Sequence, residues 1–241
     1  MHYTIGTVQA QDIQNDIHSA LNAIDEALQT AEAQKIDILC FPECFLQGYT
    51  FEKAETKKRA LRLDSPEFSH VRRALAAYKP LVILGVIEEA NGQYFNTAVV
   101  LEEGEVVGTY RKMHLFEENF EPGEDSPVFT DGSLDFGINI CYDACFPEGA
   151  QLLAMQGAKL IFYPLNNRLP KEKAQSYRDK HIAHLVARAK ETGCWIISSD
   201  VIGEDEISIG SGCSVIINPQ GDIVERVREL GIGIVMTDVV L

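Results

Sequence analysis

Cys141 stands at the end of an apolar run, in Gly137-Ile138-Asn139-Ile140-Cys141-Tyr142-Asp143. A thiol where a strand gives way to a turn is open to a reactant, and the backbone N–H groups of such a turn can receive a developing oxyanion. Glu43, in Phe41-Pro42-Glu43-Cys44, follows another apolar run. In a pocket that raised its pKa, such a carboxylate serves as a general base. Lys112, in Tyr110-Arg111-Lys112-Met113-His114-Leu115-Phe116, sets an ammonium among apolar side chains. Nucleophile, base and cation together are what acyl transfer through a thiol requires. Taken singly, each also fits a plainer role: a core thiol, a cap on the next segment, a lysine whose head reaches water. The three lie far apart in the chain, so only folding can bring them together.

The elements that would carry them can be read from periodicity. Thr4 to Gln9 reads as a first strand. Asn15 to Gln34 follows as an amphipathic helix, with Ile17, Leu21, Ile24, Leu28 and Ala31 on one face. Ile36 to Phe41 is a short buried strand that delivers Glu43. Ser65 caps a helix over Pro66 to Tyr78, with Pro66 in its first turn. Leu81 to Ile87 is a strand, and Phe95 to Leu101 with Glu105 to Arg111 form a hairpin around Glu102-Glu103-Gly104 that ends at Lys112. Gly123 to Pro127 is a polar loop. A strand over Leu134 to Cys141 delivers the thiol, and a helix over Pro147 to Gln156 and a strand over Lys159 to Tyr163 come next. A long helix over Lys171 to Thr192 is stopped by Gly193. Cys194 to Val201 is a strand, and a second hairpin spans Gly212 to Val227 around Asn218-Pro219-Gln220-Gly221.

The two hairpins resemble each other. Thr97 to Leu101 matches Cys213 to Ile217, Gly104 to Val107 matches Gly221 to Val224, and each hairpin follows a helix and a strand. Two like halves, each a sheet with helices on one face, stack as a four-layer α/β/β/α sandwich in one domain over residues 1–241. A doubly wound three-layer sheet is the rival, and the hairpins count against it.

Composition bounds the function. The chain has 241 residues, 46% of them apolar and 24% charged, as in ordinary globular proteins. The net charge of −15 repels phosphate backbones and argues against nucleic-acid binding. The longest uncharged apolar run, Leu81 to Ile87, falls far short of the ~18 residues of a membrane span. The start, Met1 to Asp12, lacks the basic-then-apolar pattern of a secretory signal, so the six cysteines read as reduced thiols of a cytoplasmic protein. Cys40 and Cys44, Cys141 and Cys145, and His181 and His184 have spacings too loose for a zinc site, and no metal or other cofactor is expected.

Phe41-Pro42-Glu43, Tyr110-Arg111-Lys112-Met113-His114-Leu115 and Ile140-Cys141-Tyr142-Asp143 with Phe146-Pro147-Glu148 resemble, in order, the three signature segments of the nitrilase superfamily, the carbon–nitrogen hydrolases. Gly48-Tyr49, Phe120-Glu121-Pro122-Gly123 and Ala187-Arg188-Ala189-Lys190-Glu191 add to the likeness. The resemblance runs almost from end to end. It implies an αββα sandwich and a Glu–Lys–Cys triad on Glu43, Lys112 and Cys141. It also implies a second glutamate at Glu118, with Glu117 as the alternative if the loop alignment slips by one, and a homodimer or larger homo-oligomer. Tyr142-Asp143, where nitrilases tend to carry Trp-Glu, is similar to the amidase branches.

The expected reaction is hydrolysis of a small amide through a Cys141 thioester, with Lys112 and the backbone N–H of Tyr142 on the oxyanion. N-carbamoyl amides and nitriles are alternative substrates. The charge of Lys112 is expected to lower the pKa of Cys141 against the opposing charge of Glu43. A Cys–His thiol hydrolase using His114 or His184, and a binding domain with an idle triad, are the rival readings. Leu165-Asn166-Asn167-Arg168 lies where members of the superfamily shape the substrate pocket, and it matches no substrate signature.

Overall fold

A computed structural model describes residues 2–240. The first half runs β1 (His2–Gln11), α1 (Ile17–Ala33), β2 (Ile38–Cys40), α2 (Lys53–Arg59), α3 (Pro66–Leu75), β3 (Leu81–Ala90), β4 (Gln93–Glu102) and β5 (Glu105–Arg111). The second runs β6 (Phe129–Asp131), β7 (Leu134–Ile138), a 3-10 turn (Cys141–Cys145), α4 (Pro147–Met155), β8 (Leu160–Pro164), β9 (Arg168–Pro170), α5 (Lys171–Thr192), β10 (Trp195–Glu204), β11 (Ser208–Ser211), β12 (Val215–Ile217), β13 (Ile223–Arg226) and β14 (Gly233–Val240).

Strand order repeats between the halves. The first sheet is ordered β5-β4-β3-β2-β1, and the second β13-β12-β10-β8-β7-β6. The hairpin β4–β5 thus sits on β3 as β12–β13 sits on β10, which is the internal repeat that the sequence shows. The two sheets are joined by strand pairing where β1 and β10 run in parallel, from Gln9 with Asp200 to Gln11 with Ile202. β14 runs antiparallel to β1, from His2 opposite Val240 to Gln9 opposite Gly233.

Alternation along the strands sorts the core into layers. Ile38, Ile83 and Val100 of the first sheet meet Phe136, Ile138, Phe162 and Ile197 of the second in one cluster between the sheets. Their neighbours Leu39, Val82, Leu84 and Val99 face the other way, against Ile24 and Leu28 of α1 and Phe68 and Leu75 of α3. Ile161, Tyr163, Ile196 and Val215 likewise face Leu153 of α4 and Leu185 and Ala189 of α5. Strands covered on both faces explain the unbroken apolar runs in the sequence. The result is the four-layer α/β/β/α sandwich, not the three-layer sheet.

Local signals fix the ends of elements. Asp16 accepts a hydrogen bond from Ser19 N at 3.0 Å and starts α1 two residues later than periodicity suggests. Ser65 caps α3 through Phe68 N at 3.1 Å, with Pro66 in the first turn as expected. Gly193, at φ +66°, ends α5 where a side chain would be strained. The strand expected to reach Cys141 pairs only to Ile138, and Cys141 begins the 3-10 turn. The sequence pattern passes over α2, β6, β9, β11 and β14, which are short or pair far from their neighbours in the chain. It also passes over the hairpin joining β3 to β4, whose Asn91-Gly92 turn has both residues at positive φ.

Candidate active site

Glu43, Lys112 and Cys141 converge where strands of both sheets end. Lys112 follows β5, and its N–H donates to Asn96 O of β4 at 2.9 Å. Its side chain is buried and points along the sheet to two carboxylates. Nζ donates to Glu43 Oε1 at 2.8 Å and to Glu117 Oε1 at 2.9 Å. Glu43 comes two residues beyond Phe41, in a loop that β3 passes so closely that a Cβ on Gly85 would lie 2.2 Å from Pro42 O. Only glycine permits that approach. Glu43 Oε1 also accepts from Asn96 Nδ2 at 2.7 Å, and Oε2 accepts from Asn166 N at 2.9 Å. Each oxygen of this 1% exposed carboxylate is therefore engaged.

Cys141 is held at φ +43°, a left-handed conformation that a residue with a Cβ rarely adopts. Asp143 explains how. Its buried carboxylate accepts from Ile140 N at 2.8 Å, Tyr110 O–H at 2.8 Å and His114 N at 2.8 Å, and pairs with His114 Nδ1 at 2.9 Å. Arg188 of α5 donates to Ala144 O at 3.0 Å from the other side. The turn is pinned from both sheets and from α5, and the thiol at its head contacts Asn167 Oδ1 at 4.0 Å. Tyr142, half-buried, packs its ring edge-on against Phe116 and Phe146.

Of the two glutamates expected here, Glu117 reaches Lys112 and Glu118 does not. Glu118 is exposed, whereas Glu117 is buried against Lys112 and accepts from the Tyr49 hydroxyl and from Phe116 N. The loop turns its side chains out, in, out over Phe116, Glu117 and Glu118, so a shift of one residue exchanges a buried carboxylate for a solvated one. Asn96 carries no signal in the sequence, since an isolated amide has no pattern of its own, and Asn166, Asn167 and Asp143 appear there within their segments without a role.

Charge in this cluster is set by burial first. Burial raises the Glu43 carboxyl above its ordinary value, Glu117 adds to that, and Lys112 opposes it. Burial also works to raise Glu117, but the charge and hydrogen bond of Lys112 and the Tyr49 hydroxyl bring it below the ordinary value. Burial disfavours the Lys112 ammonium, yet Glu43, Cys141 and Glu117 hold it well above the usual lysine range. Burial pushes the Cys141 thiol well up, Glu43 adds to the rise, and Lys112 and the Asn166 N–H do not reverse it. The lowered thiol expected from the sequence is thus corrected, because burial and the charge of Glu43 outweigh the charge of Lys112. At neutral pH Cys141 is a thiol, Lys112 an ammonium and Glu117 a carboxylate, and the thiol needs a base to react.

His114 is committed to Asp143 and stacks on Phe146 at 3.9 Å. His181 is half-buried on α5, in line with the buried Arg178, Leu185 and Arg188. Burial, with His184 and Lys112, pushes it down to about 4, so it is neutral. The hydrogen-bond contact of the Cys141 thiol is with the Asn167 amide, not with His114 or His184, and burial with the charge of Arg188 pushes His184 below the ordinary histidine value.

Residues 4–241 match the family model described as carbon-nitrogen hydrolase. The chain is 27% identical over 231 residues to a probable nitrilase of Schizosaccharomyces pombe, covering 93% of this chain and 82% of that one. It is 27% identical over 232 residues to N-carbamoylputrescine amidase of Arabidopsis thaliana, covering 87% and 77%. A mutant of the Nesterenkonia amidase from the nitrilase superfamily superposes with a TM-score of 0.85 at 25% identity, over 98% of this chain and 90% of that one. The chain belongs to the carbon-nitrogen hydrolase family, and its αββα sandwich is that of the nitrilase superfamily.

Proposed function

We propose that the protein hydrolyses a small amide to a carboxylate and ammonia through a thioester on Cys141. The observation that carries this reading is the buried Lys112 ammonium gripped by Glu43 and Glu117 beside a thiol on a strained, pinned turn. Glu43 takes the thiol proton as Sγ attacks the amide carbon. The oxyanion that forms is met by Lys112 Nζ and the Tyr142 N–H, and losing one such donor typically costs about 3 kcal/mol in barrier. Glu43 returns its proton to the nitrogen, the C–N bond breaks, and ammonia leaves. Water, deprotonated by Glu43, attacks the thioester, and the acid and the thiol are released. Glu117 keeps the ammonium aimed at the oxyanion. The scheme calls on no cofactor, since thiol, base and cation meet each charge that develops. The six free cysteines fit a reducing, cytoplasmic setting.

The test is a screen of small amides, N-carbamoyl compounds and nitriles for ammonia release. Amides are expected to be the best substrates, with activity lost in Cys141→Ala and in Glu43→Gln. Ammonia release from nitriles or N-carbamoyl compounds alone moves the reading to those substrates, and release from none overturns it.

A further inference from the structure

Asp200 is a fully buried carboxylate in the middle of β10, outside the Glu–Lys–Cys cluster. It faces the segment that joins β8 to β9. Its Oδ1 accepts from Asn167 N at 3.0 Å and from Val201 N at 2.8 Å, and its Oδ2 accepts from Asn167 Nδ2 at 2.9 Å. One carboxylate thus holds both the backbone and the side-chain amide of a single residue. Burial pushes Asp200 up to about 6, with Asn167 and Val201 opposing, so it is ionised at neutral pH and above. An ionised carboxylate only accepts hydrogen bonds, so the Asn167 amide must turn its NH2 toward Asp200 and its carbonyl away. That carbonyl is the atom 4.0 Å from Cys141 Sγ. Behind it, Asn167 and Asp200 line a narrow crevice with Arg178 and Gly212.

Resting on the amidase reading, we propose that Asp200 is a positioning residue that locks Asn167 Oδ1 beside the Cys141 thiol, and that this carbonyl selects substrates whose scissile nitrogen carries an N–H. The scissile nitrogen has to approach Glu43 to be protonated, and Glu43 Oε2 is bonded to Asn166 N, the residue next to Asn167. On that side of the thiol the nitrogen meets an acceptor that has no proton to give. An amide N–H satisfies it. An ester oxygen presents only lone pairs to it and leaves it unpaired, which is how a polar site rejects an isostere.

The test compares an amide with the ester of the same acyl group, by kcat/KM, in the wild type, Asn167→Ala and Asp200→Asn. Loss of the locked carbonyl is expected to lower the amide-to-ester ratio at least tenfold in both variants, chiefly through the amide. A purely structural role lowers both rates together and leaves the ratio unchanged, and that outcome overturns the inference. If Asp200→Asn does not fold, Asn167→Ala alone decides on the same ratio. Wild-type protein that turns over neither substrate contradicts the amidase reading instead, so the two failures are distinct.

Discussion

Glu117 and Glu118 are adjacent and chemically identical, and burial alone separates them. Glu117→Gln removes a charge that holds Lys112, and kcat is expected to fall at least about thirtyfold, whereas Glu118→Gln on the exposed side stays within about twofold of wild type. Equal effects at both positions would contradict the geometry. The pH profile belongs to the same scale. Glu43 accepts a proton only when ionised, and burial raises its pKa, so the acid limb of kcat/KM lies above the ordinary glutamate value of about 4.3. Cys141 and Lys112 both titrate well above their ordinary values, so kcat/KM stays flat from the top of the Glu43 limb to about pH 8. A rate climbing about tenfold per pH unit there reports a thiol that must ionise before Glu43 can act, and contradicts the account. Glu43, Lys112 and Cys141 are legible in the sequence because each comes at the end of an expected strand inside a recognisable segment. Asp143 and Asn167 are not, because their roles come from partners that only the fold supplies.

At the scale of the element, the turn at Cys141–Cys145 has to hold its first residue at φ +43°. A left-handed residue with a Cβ costs roughly 1–2 kcal/mol relative to a relaxed one, and glycine escapes that cost. Cys141→Gly is therefore expected to unfold at higher urea than Cys141→Ala, by about 1 kcal/mol in stability. In an ordinary strand end the order is reversed, by about 0.5–1 kcal/mol, so the sign of the difference reads the strain. Helix ends were legible at this scale where a cap residue announces them, as at Ser65 and Gly193. The Asn91-Gly92 turn was equally explicit, but it was masked by an apolar run read as a single strand leading to a later hairpin.

For the whole molecule, the paired hairpins made the repeat visible, and the repeat implied two sheets with helices outside. What the sequence does not show is how the sheets meet. The β1–β10 pairing joins residues nearly two hundred positions apart, and no local pattern encodes it. Among the described residues no helix is long and apolar enough to cross a membrane. The resemblance to the superfamily leads us to propose a homodimer or larger homo-oligomer. Sedimentation velocity is expected to give at least twice the mass of the single chain at micromolar concentration, and a single-chain mass that persists as concentration rises contradicts this.

The central claim is that an acyl group passes through Cys141. Acid-quenching the protein during turnover of an active amide, followed by peptide mass spectrometry, tests it directly. The account predicts one acyl adduct on the peptide bearing Cys141, lost on treatment with hydroxylamine as the corresponding hydroxamate forms. An adduct on Cys44 or Cys145 instead, or turnover with no acyl adduct and no hydroxamate under any quench, contradicts it.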